Sequence, residues 1–158
     1  MDFPIKSFSL KGTTENEKIE VIIEKIYGNH INCSYDGNDF KGTVNIHIGS
    51  FVVNDALFYS STGALYRLLV SLKQCYDSLE GTANFSHPYE SNLIFDVKMT
   101  KNGHAVVEGE YQEFSHINTK LIFEMKTDQT CILATINELK CIVEHTGFGE
   151  RGAEYGQY

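Results

Sequence analysis

At 158 residues, with 42% apolar residues and only two prolines, the chain has the length and composition of one folded domain with a sizeable core. That composition excludes disordered and fibrous classes. A net charge of −8, from 21 acidic and 13 basic residues, argues against a nucleic-acid binder, which needs a basic stripe to displace phosphate counterions.

The first residues, "MDFPIKSFSLKG", have neither a basic n-region nor an apolar h-region, so they do not read as a signal peptide. No run approaches the roughly 18 consecutive apolar residues of a membrane helix. The expected location is the cytoplasm. "SFSLKG" alternates Phe8 and Leu10 and reads as a first strand, followed by a polar turn at "GTTENEK". "KIEVIIEKIYG" puts Ile19, Val21 and Ile23 on one face, although Ile22 breaks the alternation. "INCSY" and "FKGTVNIHIG" flank "DGND", Asp36 to Asp39, where Asp-Gly and Asn tolerate positive φ, so a hairpin is expected there. In the second of these strands Val44, Ile46 and Ile48 should face inward, and "SFVVNDALFYS" continues in extended form.

The period then changes. Leu65, Leu68, Leu69, Leu72, Tyr76 and Leu79 recur at helical spacing, predicting an amphipathic helix over about 62–80. Ser60, Ser61 or Thr62 can cap its start, and Gly81 suits the residue after its end. A meander follows: "TANFS", "NLIFDVKMT", a turn at "KNG", "HAVVEGEYQEF" and "TKLIFEMK". Thr127 or Asp128 then caps a second helix, about 128–144, with Ile132, Ile136, Leu139 and Val143 as its stripe and Leu133 and Ile142 widening it. The expected fold is α+β, an antiparallel meander of about seven to nine strands packed with two amphipathic helices. One domain is expected over 1–145, with residues 146–158, glycine-rich and without periodicity, as a tail.

The motif search yields no dinucleotide turn, P-loop, zincin motif or nucleophile elbow. Four cysteines are scattered, and Cys131 and Cys141 on one helix would stand about 15 Å apart, too far to bridge. They read as reduced thiols. The six histidines occur singly and read as surface or turn residues. No metal and no cofactor is expected. Glu108 and Glu110 share a strand face roughly 6.5–7 Å apart, a spacing that acid–base pairs use, but solvated glutamates are the simpler reading. The acidic balance has two explanations: solubility, or attraction of a cationic partner.

The order of segments resembles a known family. "GTVNIHIGSF", the helix "LYRLLVSLKQCYDSLEGTANF", the strand "NGHAVVEGEY" and "LIFEMKTDQTCILATINELKCIV" are together similar to WapI-type immunity proteins, over about residues 40 to 143. The resemblance implies a small cytoplasmic bacterial protein that is no enzyme. Such a protein binds the C-terminal toxic domain of a cognate WapA-type, YD-repeat contact-dependent toxin. Those toxins are often nucleases with basic sites, so an acidic inhibitor would imitate the phosphate chain. The matching positions are caps, turns and core residues, so the resemblance designates no site. From the residues alone, Asp36 and Asp39 on the expected hairpin tip, Glu108 and Glu110 on a polar strand face, and Glu113 at that strand's end are the candidate partner-binding acids. The alternative function is a small-molecule carrier or an enzyme of unknown chemistry.

Overall fold

A computed structural model of the chain describes residues 6–27, 37–87 and 92–146. Its elements run β1 (Lys6–Lys11), β2 (Glu17–Ile26), β3 (Asp39–Ile48), β4 (Phe51–Ser61), α1 (Thr62–Ser78), β5 (Thr82–Phe85), β6 (Leu93–Met99), β7 (His104–Tyr111), β8 (Leu121–Asp128) and α2 (Gln129–Thr146). The fold is α+β as expected, and its eight antiparallel strands form two four-stranded meanders, β1-β2-β3-β4 and β5-β6-β7-β8. Each meander is followed without a loop by a helix, so the described chain is a ββββα unit used twice.

The two caps repeat as well. Ser61 Oγ accepts from the Ala64 amide at 3.2 Å, and Asp128 Oδ1 accepts from the Cys131 amide at 3.0 Å. The first helical amide in each unit donates to the residue just before the third strand: Thr62 to the Asn38 carbonyl at 2.9 Å, Gln129 to the Gly103 carbonyl at 2.8 Å. From these caps the stripes run in parallel, Leu65, Leu69 and Leu72 in α1 and Ile132, Ile136 and Leu139 in α2, all buried. Leu133 and Leu79 depart from the expected stripes. Leu133 is partly exposed, and Leu79 is the left-handed C-cap of α1 (φ 56°), its amide bonded to the Cys75 carbonyl. That cap position was expected nearer Gly81, which also takes positive φ.

Each helix packs away from its own sheet. α2 lies against β1 of the first sheet, α1 against β5 of the second, and the helices touch each other. α2 thus crosses from the sheet it leaves to the edge strand of the other. Inside, one buried cluster joins both sheets. Phe85 stacks on Phe95 at 5.2 Å between ring centroids and reaches Phe58 at 6.0 Å and Phe8 at 6.5 Å. Alternation of apolar residues on β1, β2, β3, β6, β7 and β8 supplies the rest of this interior.

The tight hairpin of the first sheet is at Gly49–Ser50, where Ile48 pairs with Phe51 and Gly49 takes φ +61°, the glycine-first two-residue turn. The hairpin expected at "DGND" falls largely outside the described residues, which begin again at Gly37. Asp39 opens β3 opposite Ser61, and its carbonyl accepts from the Tyr27 amide at 2.9 Å. Asp36 and the "INCSY" segment lie outside the described residues, as do residues 147–158. Val44 and Ile46 are fully buried as expected, whereas Ile48, beside the turn, is half-buried.

Candidate functional site

The predicted acids separate by position. Asp39 is exposed at the start of β3, on the first sheet. Glu108 and Glu110 project from β7 on the outer face of the second sheet, in successive rows of that face. Glu113 belongs to neither group. Its carboxylate accepts from the Leu57 amide of β4 at 3.3 Å, beside Tyr111, whose hydroxyl donates to the Leu57 carbonyl. Two side chains from the end of β7 thus take up both backbone groups of one residue on the outer edge of β4. Burial and the neighbouring Glu113 carboxylate push the Tyr111 phenol above its usual range. Glu113 is thereby engaged in holding the two sheets together, and the structure does not bring it, Asp39 and the β7 acids into one patch.

The outer face of the second sheet is built by the pleat. Asn84, Asp96, Glu108 and Glu124 stand opposite one another across β5, β6, β7 and β8, and the next row is Ile94, Glu110 and Ile122. Asn84 Nδ2 donates to Asp96 Oδ1 at 2.7 Å, Lys98 Nζ pairs with Glu108 at 2.8 Å, and Lys120 Nζ pairs with Glu110 at 3.5 Å. The Glu108 carboxylate, hydrogen-bonded to Lys98, holds that ammonium above the usual lysine range. A shallow depression of about 260 Å³ lies over Gly109, bordered by Asn84, Ile94, Asp96, Glu108 and Glu110. Glycine is needed there because a Cβ would meet the Ile94 carbonyl oxygen and the Phe95 and Phe123 side chains.

Glu108 and Glu110 flank this depression but are each tied to a lysine in solvent, which suits a solvated face and not an acid–base pair. Sequence reasoning missed Asp96 and Glu124, their row partners, and the apolar Ile94 and Ile122 beside Glu110. The signal was present: "IFD" and "IFE" place an isoleucine and an acid two residues apart on β6 and β8. Recognising it required the strand register. Among the described residues no group of three or more His, Cys, Asp or Glu side chains could hold a metal ion, and no helix is long and apolar enough to cross a membrane.

Two meanders with exchanged helices, and a sheet face whose acids, lysines and isoleucines are turned outward, define an α+β protein whose distinguishing chemistry lies on its surface. The sequence carries this further, because residues 9–147 match the immunity protein WapI-like family. The chain belongs to that family, and the match spans from within β1 to the end of α2. A search among curated proteins gives no match.

Proposed function

We propose that this protein is an immunity protein that binds the C-terminal domain of a cognate YD-repeat toxin and blocks its basic, nuclease-type active site. Membership of the WapI-like family carries the reading. The charge balance supports the finer part: a chain of net charge −8 is drawn to a basic cleft, and complementary fields raise association rates toward about 10⁸–10⁹ M⁻¹s⁻¹ at low salt. The outer face of the second sheet fits a protein partner better than a metabolite. Its depression is shallow and about 260 Å³, below the roughly 300–1,000 Å³ of usual small-molecule sites.

Neutralisation in this reading needs no chemistry from the inhibitor. Carboxylates occupy the positions that substrate phosphates would take, and apolar side chains beside them exclude water from the contact. Co-expression with the C-terminal domain of a YD-repeat toxin from the same genome tests it. Growth should be restored and the two proteins should co-purify, whereas continued toxicity with a well-folded, abundant chain would refute the assignment.

A further inference from the structure

A soluble sheet has to protect its edges, because unpaired N–H and C=O groups on an edge strand invite another strand. Three of the four edges in this fold are protected by identifiable means. On β1, Thr135 Oγ1 of α2 donates to the Ser9 carbonyl at 2.8 Å, and the Glu138 carboxylate accepts from the Ser9 amide. On β4, Tyr111 and Glu113 engage Leu57, and the register shifts near Asp55, whose φ is 50°. β5 lies against α1.

β8 is different. Among the described residues its single outward backbone contact is at the far end, where the Thr13 amide donates to the Lys126 carbonyl at 2.9 Å. Because alternate residues of an antiparallel strand turn their backbone groups to the same side, Ile122 and Glu124 also face away from β7. Among the described residues nothing hydrogen-bonds to the outward amides and carbonyls of these two. Lys126 guards the end of the strand that Thr13 already covers, but around Ile122 there is no proline and no bulge in the pairing with β7, and the Ile122 side chain is 70% exposed. Glu124 is exposed and, among the described residues, makes no ion pair, unlike Glu108 and Glu110.

We propose that the free edge of β8, at Ile122 and Glu124, is where the toxin docks, by adding an extended segment of its own as a ninth strand. The inference rests on the immunity reading above and names the surface that reading leaves open. Backbone pairing would supply the hydrogen bonds, and side chains on the shared face would supply the selection. The incoming segment carries an apolar residue beside Ile122 and, two residues along, a lysine or arginine beside Glu124, since opposite charges pair favourably across strands.

The test uses the full chain, isotope-labelled, with a catalytically inactive form of the cognate toxin domain. In the free protein the Ile122 and Glu124 amides should exchange quickly while those of Phe123 and Met125, which bond to β7, exchange slowly. Binding should slow exchange at Ile122 and Glu124. Glu124→Pro removes the outward N–H without touching the ladder to β7, so melting should shift little while affinity falls about tenfold to 100-fold. Should the proline disturb the strand, Ile122→Lys offers a side-chain test: an edge lysine leaves every backbone bond intact and should weaken binding in the same direction. A complex that forms with Ile122 and Glu124 amides unprotected, or with both variants binding as wild type does, overturns the edge proposal and leaves the immunity reading standing. Absence of any complex overturns both. A dimer of the free chain protected at those two amides would assign the edge to a second copy and equally overturn the proposal.

Discussion

Phe85→Ala should be among the most damaging single truncations in this fold. The ring is 1% exposed and stands between the sheets, with Phe95 stacked at 5.2 Å, Phe58 at 6.0 Å and Phe8 at 6.5 Å. Removing a buried phenyl group costs about 3–5 kcal/mol through lost transfer energy and the cavity left behind. Phe58 and Phe8 come from the first sheet and Phe95 from the second, so the cavity opens at the seam and collapse on one side cannot close it. Each aromatic pair adds about 0.5–1.5 kcal/mol beyond area burial, which places the loss toward the upper end of that range. For a chain of this size the melting temperature should fall by about 10–15 °C. Urea unfolding followed separately by far-ultraviolet circular dichroism and tyrosine fluorescence gives the measurement. Both probes should report a single transition, with the midpoint lowered and the slope kept. A loss under about 1.5 kcal/mol, or two separate transitions in the wild type, would mean that the two ββββα units do not share a core.

Leu72→Ala, mid-stripe on α1 and fully buried, should cost about 2–5 kcal/mol in the same denaturation assay. Gly42→Ala should fold poorly or not at all, because the added methyl would meet the Ile22 carbonyl oxygen; soluble yield and melting temperature report it. Asp128→Ala removes the α2 cap and should cost about 0.5–2 kcal/mol at neutral pH. Hydrogen bonding from the Cys131 amide holds this carboxyl below the usual aspartate range. Its contribution is therefore present above the unfolded value of about 3.9 and is lost as pH falls through the folded one, so variant and wild type should converge in acid. Glu108→Lys with Glu110→Lys should change stability by no more than about 1 kcal/mol per lost surface pair while slowing toxin association at low salt, and the deficit should shrink as salt rises. A salt-independent rate deficit would remove these acids from the electrostatic account.

The sequence made the local elements legible because their signals are local. The stripe from Leu65 to Leu72, the caps at Ser61 and Asp128, and the alternation of β6 and β8 depend on neighbours within a turn or a pleat. The two-residue turn at Gly49 went unread because "IGSF" lacks an Asn-Gly or Asp-Gly pair, and its place follows from the pairing of β3 with β4. The exchange of helices between sheets was hidden since an apolar stripe says that a helix is covered, not by what. Glu113 illustrates the same limit at the candidate site. Its position looked like solvent-facing charge, and its partner, Leu57, is 56 residues away in sequence. Asp96 and Glu124 joined Glu108 in one row only once the register of three strands was known.

The central claim, that this chain neutralises a toxin by binding it, is tested most directly by titrating the purified protein into the active toxin domain of its cognate YD-repeat protein and following turnover of the toxin's own substrate. The account predicts that activity falls linearly to zero at one equivalent, with a stable complex recovered from the mixture and no change in the inhibitor itself. Undiminished turnover at a large excess of folded inhibitor would contradict it.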